Sequence, residues 1–219
     1  MKGSVILIAV LLSMSGLVAF ALWPSQADVE RTGENLERRL VLIDQALAQA
    51  SKNLADIARV KPAVNLRKTL DMQRQLTSQA RADEKALLAA YAASPTAAAK
   101  ADTLAGLQKL GESLGTIAVD SEDLRVRTEV IRSFLERIEP LRAETRELRR
   151  TLAAVEAKSE DQDLIRRIRA AIDASSKAED LIGKALERLP GNLGEGKVLA
   201  GTAENEMKAA IEEMKKLKS

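Results

Sequence analysis

Gly191-Asn192-Leu193-Gly194-Glu195-Gly196-Lys197 has the spacing GxxxxGK, in which backbone amides and a lysine can cradle phosphates. The chemistry fails one position on. Val198 stands where a Ser or Thr would hold magnesium, and the segment follows a helical pattern ending at Leu189 rather than a buried strand. An interhelical turn accounts for its glycines. The chain has no histidine and no cysteine, which removes imidazole bases, thiol nucleophiles, their metal sites, disulfides and the lipid-bearing cysteine of a lipoprotein. Carboxylate metal sites need acids turned inward from several helices, and most acids here lie outside the apolar seams traced below. Glu179 is the seam acid to watch, with an ion pair to Lys177, Lys184 or another helix as the expected arrangement. Arg146, Arg149 and Arg150, and then Arg166, Arg167 and Arg169, form basic clusters suited to an acidic partner, anionic lipid or envelope polymer. Glu144 and Glu147 accompany the first cluster, and Glu160, Asp161 and Asp163 the second, so solvated, salt-bridged helix faces are expected. No catalytic, cofactor-binding or metal-ligating residue is singled out. The expectation is a protein that is not an enzyme and carries no cofactor.

Any such residues must be positioned by helices. The apolar fraction is 46% but the aromatic fraction only 2%, so a core must be built from Leu, Ile, Val and Ala, and the remainder is rich in helix-forming Glu, Lys and Arg. An all-α fold follows. Basic and acidic residues nearly balance at 34 and 32, and with few aromatics for stacking this gives nucleic-acid binding no support.

Residues 5–23 carry no charged side chain. About 19 apolar residues suffice to cross roughly 30 Å of hydrocarbon and exceed the usual 7 to 15 of a signal-peptide core. Lys2 precedes the run, while Asp28, Glu30 and Glu34 outnumber Arg31 after it, which places the bulk of the chain outside the cytoplasm. The length favours an uncleaved signal anchor with Trp23 at the headgroups. The alternative is a secreted or periplasmic protein cleaved after Ala19-Phe20-Ala21 or Ser25-Gln26-Ala27.

After Asp28 the chain reads as heptad-patterned helix. Val29, Gly33, Leu36, Leu40, Ile43, Leu47, Ala50, Leu54 and Ile57 alternate spacings of four and three until Lys61-Pro62. A second helix, residues 63–93, has a weaker seam of Leu66, Leu70, Leu76, Ala80, Leu87 and Tyr91, diluted by Gln73 and Thr77. Its seam is therefore expected to be open to a partner. Ser94-Pro95 starts a third helix. Its seam runs in phase from Leu107 to Ile138, then slips at Pro140 to Leu141, Thr145, Leu148, Leu152 and Val155. Ser159 and Gln162 have capping-box spacing, and Ile165, Ile168, Ile172, Ser175, Glu179, Ile182, Leu186 and Leu189 continue to the Pro190-Gly191-Asn192 stop. A last helix covers residues 197–217. The lengths come to about 33, 31, 62, 31 and 21 residues.

These lengths fit an N-terminal membrane helix followed by elongated antiparallel bundles or coiled coil, including two three-helix bundles that share the long helix. A kinked coiled-coil dimer and a compact four-helix bundle with a tail fit them too. The organisation expected is residues 1–27 as anchor or signal, 28–118 and 119–189 as two helical bundles or coiled coils, and 190–219 as a Gly-rich turn with the C-terminal helix. The function expected is a membrane-tethered extracytoplasmic scaffold or adaptor that pairs with itself or with another helical envelope protein. The alternative is an extracytoplasmic ligand sensor. With only residues 1–4 on the cytoplasmic side, that sensor would signal through a lateral partner.

Overall fold

The structure, a computed structural model, describes residues 25–60 and 62–218, with Pro62 described by its backbone alone. The apolar run 5–23 and the cleavage site at Ala19-Phe20-Ala21 lie outside the described residues. Among the described residues there are five helices and no strand: α1 (Gln26–Asp56), α2 (Pro62–Ala93), α3 (Ala97–Glu156), α4 (Gln162–Arg188) and α5 (Leu193–Lys218). The chain is all-α, as its composition predicts. No helix among the described residues is long and apolar enough to cross a membrane.

α1 begins in a reciprocal cap. Ser25 Oγ accepts from the Asp28 amide at 3.2 Å, and the Asp28 carboxylate accepts from the Ser25 amide at 3.2 Å and its hydroxyl at 2.7 Å. The hydroxyl and amide of Ser25 hold the Asp28 carboxyl below the usual carboxylate range. Cleavage after Ala27 would remove Ser25 from this cap. From there α1 follows its predicted seam: Val29, Leu36, Leu40, Ile43, Leu47, Ala50, Leu54 and Ile57 are all buried, and Gly33 is half-buried.

The described chain falls into two compact units. Within the described residues the first takes 25–45 and 73–120, and the second takes 46–72 and 121–218. The division differs from two three-helix bundles that share only α3, because α1, α2 and α3 all contribute to both units. The seam of α1 explains this for its own helix: it passes residue 45 without a break, so nothing stops the helix there.

In the first unit α2 and α3 are antiparallel neighbours. A Cβ on Gly106 would lie 2.9 Å from Leu87 Cδ2. Equally far along each helix from that contact, Gln73 Nε2 donates to Asp120 Oδ2 at 3.5 Å. α1 joins them where Gly33 approaches Leu88 and Gly111 approaches Leu36. Arg39 donates to the Gly111 carbonyl, and Arg81 pairs with Asp44.

In the second unit α3 presents Leu124, Ile131, Ile138, Thr145 and Leu152, seven residues apart and all buried. The expected slip is present but falls before Pro140: Phe134 and Leu148 are buried where unbroken phase would place Leu135 and Arg149. That proline lies on the exposed side of a continuous helix, where water can meet the carbonyl its missing amide leaves free. Asn53, fully buried on α1, donates to Thr128 Oγ1 at 3.2 Å and accepts from Gln49 at 3.0 Å. A polar pair inside an apolar seam fixes which layers face each other.

α4 and α5 form an antiparallel hairpin in the same unit. Asp161, not Ser159, caps α4: its carboxylate accepts from the amides of Asp163 at 2.9 Å and Leu164 at 3.1 Å. Ser159 instead accepts from the Asp161 amide at 3.1 Å. The α4 seam keeps Ile168, Ser175, Ile182, Leu186 and Leu189 of the predicted line, but Ala171 and Ala178 are buried where Ile172 and Glu179 were expected. Buried Ala200, Ala203 and Ala210 on α5 give the reason, since small side chains on both helices allow close approach. α5 starts at Leu193, four residues before the prediction, because Asn192 caps it by accepting from the Glu195 amide at 3.1 Å while donating to the Glu195 carboxylate at 3.2 Å.

Candidate interaction surface

The residues singled out for chemistry are spread over structural roles. In the GxxxxGK segment the side chain of Asn192 is committed to its cap, and Gly196 is buried against Leu189. Glu179 lies half-buried beside the α4 seam and accepts from Arg142 Nε at 2.9 Å and from a second guanidinium nitrogen at 2.7 Å. That is an ion pair to another helix rather than to Lys177 or Lys184. Arg149 donates to Ser175 at 2.7 Å and Ser176 at 3.0 Å, Arg169 to Glu156 at 2.8 Å, and Arg166 pairs with Asp163 at 3.2 Å. These arginines of the two clusters are therefore occupied within their own unit. Exposed pairs of this kind are worth about 0 to 1 kcal/mol each. Among the described residues no group of three or more acidic side chains is placed to hold a metal ion.

α2 departs most from the patterns of its neighbours. Its buried line is Ala63, Leu66, Leu70, Gln73, Thr77, Ala80 and Glu84, an unbroken alternation of three and four. Leu76 is not part of it and is 43% exposed. Gln73 and Thr77 do occupy the seam, at 2% and 3% exposure, and Gln73 Oε1 has no hydrogen-bond partner. Glu84 is a seam acid the sequence reading missed, although the spacing from Ala80 points to it.

Burial raises the Glu84 carboxyl above the ordinary glutamate range, Glu37 on α1 pushes it further the same way, and Arg81 opposes both. A proton is thus held more tightly in the folded chain than in the unfolded one. Below the ordinary glutamate value the carboxyl is neutral in both states and costs nothing. As pH rises through that value towards the raised one, the unfolded state ionises first and stability falls. Glu84→Gln should therefore match the parent protein in thermal melts near pH 4 and exceed it at pH 7. A difference that shrinks as pH rises would contradict this environment for Glu84.

Beside the seam, α2 and α3 enclose an open groove of about 540 Å³ in the first unit. Asp83, Ala86, Leu87 and Ala90 line one wall, and Gly106, Lys109, Leu110 and Ser113 the other. Small residues make the groove, and Gly106 lets Leu87 lie flat against α3. The groove's largely apolar walls carry one carboxylate, one ammonium group and one hydroxyl, those of Asp83, Lys109 and Ser113. It can receive the side chains of another helix.

Compared with protein-family models, with curated proteins and with solved structures, the chain matches none.

Proposed function

We propose that this protein is a non-enzymatic helical scaffold or adaptor, tethered to a membrane through residues 5–23, that works outside the cytoplasm by helix-to-helix contact. The observation that carries this reading is the character of α2. One side of the helix is a seam weakened by Gln73, Thr77 and Glu84, and beside it lies an open groove with exposed Leu76 on the same helix. Polar seam residues lower the stability of a closed bundle and encode partner choice. The asymmetry of charge around residues 5–23 supports the address.

The test is photo-crosslinking in intact membranes from probes at Leu76 and Leu110, with protease protection to read topology. The expected result is a discrete crosslinked protein, either a second copy or another helical envelope protein, with residues after Asp28 accessible only from outside. A chain that crosslinks to nothing from either probe and holds a small molecule between its helices would replace the scaffold with the ligand-sensor reading.

A further inference from the structure

We infer that the open face of α2 and α3 is a self-pairing surface whose occupant is the same face of a second copy of this chain. The inference rests on the scaffold reading and names its partner. A second stripe runs along α2 apart from the core seam, with Leu76, Gln79, Asp83, Ala86 and Ala90 at alternating three- and four-residue spacing. On α3 the matching residues are Gly106, Leu110, Ser113 and Ile117. The antiparallel register set by Leu87 and Gly106 puts Leu76 level with Ile117, so the apolar character of the groove continues beyond its walls.

Charge selects the occupant. The same register brings Asp83 level with Leu110 and hence beside the level of Lys109, one charge of each sign on opposite walls. Asp83 accepts from Gln79 at 2.8 Å, and among the described residues neither Asp83 nor Lys109 makes an ion pair. A two-fold axis running along the groove lays α2 of the second copy over α3 of the first and leaves every level unchanged. Each Asp83 then faces a Lys109 of the other copy. A two-fold axis across the helices would instead stack α2 on α2 and leave both charges unanswered. Four helices close around the stripe in the first case. A stripe this short lies near the low end of specific interfaces, roughly 1,000 Å² in total, so the pairing is reversible and concentration-dependent.

The chain has no cysteine of its own, which makes disulfide trapping clean. Full-length Asp83→Cys and Lys109→Cys variants, each in detergent micelles, should crosslink poorly alone and at least about tenfold better when mixed, because only the mixture places a thiol opposite a thiol. In sedimentation, Asp83→Lys should weaken dimerisation roughly tenfold by setting like charges together twice. Asp83→Lys combined with Lys109→Asp should restore it, with helicity unchanged throughout. A strictly monomeric chain overturns the inference, as does a dimer indifferent to both reversals or equal crosslinking with and without mixing. Association through residues 1–24 would be blind to these charges and so falls among those results. If the pairing fails while photo-crosslinking in membranes still captures a different helical protein, the scaffold reading stands without it.

Discussion

Leu70→Asp should unfold the part of the bundle to which its helix segment belongs, whereas Leu76→Asp on the same helix should leave the fold intact. Leu70 is 3% exposed in the α2 seam, and Leu76 is 43% exposed on a different face of the helix. At position 70 the substitution loses a buried leucine and introduces a carboxylate into an apolar layer. Together these cost on the order of 5 kcal/mol, comparable with the whole stability of many domains, about 5 to 15 kcal/mol. At position 76 the change stays within about 0.5 to 1 kcal/mol, as for surface substitutions generally. Urea unfolding followed by circular dichroism distinguishes the two. Leu70→Asp within about 1 kcal/mol of the parent would place that residue outside a core. The pair matters because the sequence pattern put both leucines on one seam, whereas only Leu76→Asp can report on association without also reporting on folding.

Where long aliphatic residues recur without competition, periodicity alone located the core. Leu40, Ile43, Leu47, Leu124, Ile131 and Ile168 are all buried as expected, because each sits on a helix whose alternative faces are strongly charged. The pattern misleads where two templates share most positions. On α4 both the expected and the observed seams contain Ile168, Ser175, Ile182, Leu186 and Leu189. Preferring larger residues selects Ile172 and Glu179, yet the hairpin buries Ala171 and Ala178 because the facing helix is also alanine-rich. On α2 the same preference for bulk added Leu76 to a seam in which Gln73 and Thr77 were already expected, and passed over Glu84. Periodicity is set by helix geometry and tolerates polar residues, so spacing was the better guide there. The groove of the first unit was beyond reach of the pattern. It depends on Gly106 standing beside Leu87 across two helices, a pairing that nothing local in either helix specifies.

Gly196→Ala should destabilise the α4–α5 hairpin by about 3 kcal/mol, at the upper end of ordinary overpacking. A Cβ at this position would lie 2.7 Å from both Cα and N of Leu189 and 2.8 Å from its Cδ2. The Leu189 side chain could turn away from a methyl group, but its backbone cannot. That backbone is fixed by the bond from the Leu189 amide to the Ala185 carbonyl at 2.9 Å, and the next residue by Arg127, which donates to the Pro190 carbonyl. The first turn of α5 must therefore lift off, and lifting it strains the Asn192 cap and the alanine contacts that follow. Gly201 provides the opposite case within the same helix. It is exposed, a Cβ there meets nothing within 4 Å, and Gly201→Ala should add about 0.5 to 1 kcal/mol through helix propensity. The expected thermal melts therefore move in opposite directions from one glycine-to-alanine change on one helix. If both variants stabilise, the turn between α4 and α5 has room that the Gly196–Leu189 approach denies, and the close packing of the hairpin would have to be redrawn.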